Sequence, residues 1–164
     1  MTNIFKNIFR KKNLTIGKFI EEVIDIDNSK KSIDEIIETW RHTDLKLNDP
    51  ATEDLISDTQ KKIEYTFPKD FLNFYKKING FKDWDVIGEM FSIWTLERIA
   101  EEYEKCDDKN FVPFCDYLID SHRIGYLKDE FGVYKDYYDQ KMYKIADTFE
   151  DTIKLILTDS ELLY

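Results

Sequence analysis

Between Phe67 and Gly80 the apolar residues Phe71, Leu72, Phe74, Tyr75 and Ile78 recur at helical spacing, with polar residues between them. Pro68 suits the first helical position, where its missing N–H costs nothing. Asn79-Gly80 supplies a left-handed residue to end the helix. Similar signals mark further helices. Ser32 and Glu35 form a capping box that opens a helix through about Trp40. Asn48-Asp49-Pro50 is a loop into a helix over about Thr52 to Glu64. Thr95 caps a helix from Leu96 to about Lys105, with Leu96, Ile99, Ala100 and Tyr103 on one face. Thr148, with Asp151 three positions on, caps a last helix through about Leu157. Phe19 to Ile26 fits a helix or an extended segment equally well.

Phe91-Ser92-Ile93-Trp94 reads as a strand, and after Asn110 the pattern changes period. Phe111–Cys115, Arg123–Leu127, Val133–Tyr137 and Met142–Ile145 are short runs rich in aromatic and β-branched residues. Acidic turns separate them: Asp120-Ser121-His122, Asp129-Glu130-Phe131-Gly132 and Asp139-Gln140-Lys141. Helices, then strands, then a helix imply an α+β domain. The expected architecture is a single domain with an antiparallel, mixed-order sheet and helices packed on one side.

The string Phe67-Pro68-Lys69-Asp70-Phe71, followed by a helix closing at Asn79-Gly80, resembles the signature of the SUKH superfamily, the Smi/Knr-type proteins. That pattern is an apolar residue, Pro, a variable residue, Asp and an aromatic, then a helix ending in Asn-Gly. A second match is Ala146-Asp147-Thr148-Phe149-Glu150-Asp151-Thr152-Ile153, and a third is Pro50-Ala51-Thr52-Glu53-Asp54-Leu55-Ile56. The resemblance runs from about Glu35 to the C-terminus, and the order and spacing of the motifs carry it. Two positions depart from it. Family members often have Glu where Gln60 stands and Gly where Glu64 stands; Gln keeps much of the hydrogen bonding, but Glu64 puts a Gly-dependent turn before Phe67 in question. The implied organisation is an N-terminal extension over residues 1–31, read as helical, and a SUKH-like domain over 32–164.

At 164 residues the chain is long enough for a self-sufficient core. Its 12 Phe, 10 Tyr and 3 Trp, against 5 Gly and 3 Pro, argue for a folded protein. The formal net charge of −10 disfavours nucleic acid as a direct partner, because phosphate binding needs clustered Lys and Arg. It suits a basic protein partner, since opposite fields speed encounter. Met1 to Lys12 is the basic exception, with Lys6, Arg10, Lys11 and Lys12 and no acid. Its apolar Ile4, Phe5, Ile8 and Phe9 suit a docked or frayed helix, the simpler reading, or a short amphipathic helix touching a membrane surface. The cysteines, Cys106 and Cys115, make neither a secreted disulfide framework nor a zinc knuckle. No segment has the apolar length of a membrane span or the pattern of a signal peptide. The expected location is the cytoplasm, with both thiols reduced.

Chemistry is sparse. His42 follows Trp40-Arg41 at a helix end, where a cation suits the dipole. His122 sits in a polar turn and reads as solvated. Asp25-Ile26-Asp27-Asn28-Ser29 mimics the start of a calcium loop, but Lys30 replaces the required Gly and Ile36 the required Glu. Neither a phosphate loop nor a nucleophile with its base is visible, so no catalytic, cofactor or metal residue is assigned. What remains is acids interleaved with aromatics, the composition of a protein-binding surface. Asp83, Trp84 and Asp85 form one such group. Asp129, Glu130, Asp136, Tyr137, Tyr138 and Asp139 form the other.

The resemblance implies an immunity protein, as most bacterial SUKH proteins are, binding a cognate toxin. A basic nuclease is the kind of toxin the charge suits. The alternative is a signalling or cell-wall-related adaptor, as eukaryotic relatives are, and a third possibility is an enzyme with a carboxylate site. The first reading predicts stoichiometric binding without cofactor. The sequence leaves the oligomeric state open.

Overall fold

The computed structural model describes residues 30–82, 85–87, 90–138 and 141–164. The expectations for the N-terminal extension, for Phe19 to Ile26 and for Asp25 to Ser29 lie outside the described residues.

Helix α1 (Ile33–Arg41) opens on the expected capping box. The Ser32 side chain accepts from the Glu35 N–H, and the Glu35 carboxylate accepts from the Ser32 N–H at 2.8 Å. His42 is its C-cap residue and is exposed. Helix α2 (Glu53–Ile63) is capped by Thr52 and ends at Glu64, which takes the left-handed conformation at φ 53° without being glycine. That conformation costs roughly 1 kcal/mol. The turn closes because the Gln60 carbonyl accepts from Tyr65 N–H at 3.2 Å and the Gln60 side-chain oxygen accepts from Phe67 N–H at 2.9 Å.

Helix α3 (Lys69–Tyr75) is shorter than its apolar stripe suggests. Pro68 is its N-cap rather than its first helical residue, and Lys76, not Asn79-Gly80, closes it. Lys77 and Ile78 are still held locally, both N–H groups donating to the Phe74 carbonyl, and tertiary bonds take over at Asn79. Asn79 N–H donates to the Asp49 carbonyl at 3.0 Å, and the Asn79 side chain turns to the start of the next helix, α4 (Leu96–Lys105). Its oxygen accepts from Leu96 N–H at 2.9 Å and its amide donates to Glu97 at 2.8 Å. Thr95 caps the same terminus by accepting from Arg98 N–H. Gly80 has φ +67°, and a Cβ there would collide with the Trp94 carbonyl.

The strands are β1 (Phe91–Ile93), β2 (Phe111–Tyr117), β3 (His122–Leu127), β4 (Val133–Asp136) and β5 (Met142–Ala146), all paired antiparallel. The α+β class stands, but the strand order is sequential rather than mixed. Successive antiparallel pairings join β2 to β5 in turn, and α4 returns the chain so that β2 lies beside β1. Helix α5 (Phe149–Leu157) and a 3-10 turn (Glu161–Leu163) complete the fold.

One face of the sheet carries Val112, Phe114, Ile124, Tyr126 and Val133 into the core. Helices α3 and α5 pack on it through Phe71, whose ring lies 5.7 Å from both Phe114 and Tyr126 and 5.1 Å from Phe149. Phe71, Phe74, Phe114 and Phe149 are all fully buried, each removing roughly 2 kcal/mol worth of apolar surface from water. The opposite face has its own small cluster of Phe111, Leu127 and Tyr134, packed with Met142. Cys106, the C-cap of α4, and Cys115, in β2, are both buried and form no disulfide.

Candidate interaction surface

Because the strands alternate in direction, the turns lie at two ends of the sheet. The β3–β4 turn carries Asp129 and Glu130 at one end, and the β2–β3 and β4–β5 turns meet at the other. Asp129 and Glu130 are exposed, and Glu130 accepts a hydrogen bond from the Tyr134 hydroxyl at 2.9 Å. The length of β4 separates them from Tyr137 and Tyr138, so the acid–aromatic cluster suggested by sequence proximity is divided. Asp136 belongs to the interior. It is 4 % exposed, pairs with Arg123 at 2.6 Å and accepts from the Tyr138 N–H at 2.8 Å. Asp85 ties a loop, accepting from the N–H groups of Lys46 at 2.7 Å and Val86 at 3.2 Å. Asp83, Trp84 and Asp139 lie outside the described residues.

The end that holds Tyr137 and Tyr138 has properties the sequence reading missed. Leu118 and Ile119 form the tip of the β2–β3 hairpin, and Ile119 is 82 % exposed. Met90 sits beside them, its carbonyl accepting from Leu118 N–H at 3.1 Å. Tyr143 and Tyr164 join the same end: Tyr143 lies 6.2 Å from Tyr137, and Tyr164 packs 5.3 Å from Tyr117. Met90, Leu118, Ile119, Tyr137, Tyr138, Tyr143 and Tyr164 are all more than one-third exposed. Exposed apolar side chains gathered at one end of a sheet are a common mark of a contact site.

The backbone of this end is strained. Met90 (φ 79°), Leu118 (45°), Ile119 (52°), Asp120 (71°) and Tyr138 (64°) all adopt the left-handed conformation, although none is glycine. A β-branched residue such as Ile119 is especially disfavoured there. Each costs of order 1 kcal/mol and persists only where neighbouring bonds over-determine it. Those bonds are present. Asp120 N–H donates to the Asp116 carboxylate at 3.0 Å, Ser121 N–H donates to the Tyr117 carbonyl at 2.8 Å, and the Tyr138 hydroxyl donates to the Asp120 carboxylate. Burial and that last bond push the Tyr138 hydroxyl well above the ordinary phenol range. Asp116, 2 % exposed, is itself held by Trp94 Nε1 and by Arg98 at 3.4 Å.

His122 stands behind this surface and corrects its reading as a solvated turn residue. It begins β3 and is 1 % exposed, with its ring 5.0 Å from Tyr117 and 4.8 Å from Tyr137. The turn occupies residues 118–121, one step earlier than the polar residues suggest. Burial first, and then the Lys135 ammonium, hold the imidazole below its ordinary pKa. Lys135 donates to the Tyr164 carbonyl at 2.5 Å, which fastens the C-terminal segment over the same end.

Residues 50–155, more than half of the chain, match the model of the SMI1 / KNR4 family (SUKH-1). The chain belongs to that family. No curated protein matches it in sequence. The SUKH-1 span runs from the loop before α2 into α5, so it contains the whole sheet and both hairpin tips. Tyr164 and α1 fall outside the matched span. Within this SUKH-1 domain the apolar dipeptide Leu118-Ile119, set directly before the turn residues Asp120-Ser121, is the sequence signal that marks the exposed tip.

Among the described residues no group of three or more His, Cys, Asp or Glu side chains converges as a metal site. No helix among them is long and apolar enough to cross a membrane. The side chains at the exposed end are aliphatic and aromatic, with charges behind and beside them. That arrangement suits contact with another protein surface.

Proposed function

We propose that this SUKH-1 protein is an immunity protein that binds and neutralises a cognate bacterial toxin by stoichiometric contact. The observation that carries the reading is the strained, apolar end of the sheet, where Leu118, Ile119, Tyr137 and Tyr138 project from two hairpins tied together. Backbone strain concentrates at functional sites, and exposed aromatics are frequent binding anchors. Membership of a family that includes immunity proteins supports the same reading. The net charge of −10 fits a basic toxin such as a nuclease, whose Lys and Arg are steered towards the carboxylates around the anchor. Asp83, Trp84, Asp85 and Asp139 are proposed as further contributors to the contact. Asp129 and Glu130, at the opposite end of the sheet, are assigned no part in this contact.

The test is a pull-down from native cells with the chain as bait and mass spectrometry of what is retained. A single basic, toxin-like partner in stoichiometric amount is the expected result. Many substoichiometric partners would point instead to an adaptor.

A further inference from the structure

On the face of the sheet away from the main core, beneath the Tyr138 hairpin, lies a cleft of about 450 Å³. Phe111, Arg123, Tyr138 and Met142 line it, together with Asp107 and Asp108 from the loop after α4. We propose that this cleft is a socket for one cationic side chain, Arg or Lys, of the protein partner. The proposal rests on the immunity reading above and refines it.

The cleft combines three features. Its walls are apolar, supplied by Phe111, Met142 and the Tyr138 ring, which is the material that packs the methylene stem of a long side chain. Its inner charge is already balanced. The Arg123 guanidinium lies 4.3 Å over the Tyr138 ring and 5.6 Å from that of Phe111, and it is paired with Asp136 at 2.6 Å. Its remaining charged lining groups are the carboxylates of Asp107 and Asp108, both exposed. Lys109, next in sequence, turns away to the carbonyls of Tyr103 and Glu104, at 2.9 Å from each.

This distribution selects the ligand and its pose. With Arg123 neutralised by Asp136, the net charge of the lining is that of Asp107 and Asp108, so a stem lying along Met142 and the Tyr138 ring brings its charged head to those two carboxylates. An anionic side chain would meet those carboxylates on the way in. The volume falls in the range of sites that hold small ligands, about 300–1,000 Å³, enough for one side chain. Tyr138 joins the socket to the apolar tip, because the same residue lines the cleft and bonds to Asp120.

The experiment titrates the isotopically labelled full chain with N-acetyl-arginine methylamide by NMR, with the norleucine and glutamate analogues as controls. The expected result is saturable shifts at Phe111, Arg123, Tyr138 and Met142 for the arginine probe, and none for the controls. In D107N/D108N the affinity should fall by about tenfold, the loss of two exposed ion pairs. Asp108 also accepts from the Asn110 N–H at 2.8 Å, so D107N alone serves as the variant that leaves the loop intact. Absence of these shifts, equal binding of the norleucine probe, or indifference to both variants would overturn the socket. A pull-down that retains a toxin while the probe fails keeps the immunity reading and removes the socket; the reverse pattern does the opposite.

Discussion

The Tyr138 hydroxyl donates to the carboxylate of Asp120, eighteen residues earlier, and so ties the tip of the β4–β5 hairpin to that of the β2–β3 hairpin. Both residues have positive φ, so the bond holds two strained turns against each other. In Y138F the ring stays and the bond goes. The expected cost is about 1 kcal/mol, read from the urea midpoint, with faster amide exchange confined to residues 118–121.

Ile119 separates stability from binding. At φ 52° and 82 % exposed, it stabilises nothing in the isolated domain that glycine would not. The I119G variant should unfold at equal or higher urea, by up to about 1 kcal/mol, because glycine adopts the left-handed conformation without penalty. The same variant should bind the partner more weakly, since the exposed side chain is lost. Loss of stability together with unchanged binding would show that the tip serves the fold.

Asn79 links the end of α3 to the start of α4, and N79A removes both of its side-chain bonds at once. One of them satisfies a buried N–H, that of Leu96. The expected loss is about 2 kcal/mol by chemical denaturation, at the upper end of the range for a helix cap. A change under a few tenths of a kcal/mol would mean that Thr95 alone suffices.

His122 gives the domain a pH dependence of known sign. Its folded pKa lies below the ordinary 6.5, so the folded state disfavours the charged form. Its neutral form is fully compatible with the fold above pH 6.5, and stability is lost as pH falls through 6.5 towards the folded value. The window that opens just below pH 6.5 lies above the usual carboxylate titration range. Urea midpoints should decline across it in the wild type and stay flatter in H122F. Equal slopes would assign the effect to other groups.

Much of this architecture was legible in the chain. Thr95 with Leu96, Ile99, Ala100 and Tyr103 specified α4 to its ends, because cap and apolar stripe agree there. Ser32 and Thr148 did the same for α1 and α5. Helix α3 is shorter than its stripe because Asn79 and Gly80 are governed by distant partners, Asp49, Leu96 and Trp94, which no local pattern contains. The site was less legible. Acids and tyrosines adjacent in sequence suggested one cluster, but a four-residue strand between two turns places Glu130 and Tyr138 at opposite ends of the sheet. Asp136 looked like a surface acid because its burial depends on Arg123 in the neighbouring strand. The exposed Leu118-Ile119 tip runs against the expectation that apolar pairs are buried, and its strain is visible only in the backbone angles.

The most direct test compares wild-type chain and I119D as baits in parallel pull-downs, with urea midpoints measured on both. The expected result is one basic partner in stoichiometric amount on the wild type, and its loss from I119D at unchanged stability. Equal retention of that partner by the two baits would contradict the assignment of the sheet end as the contact surface.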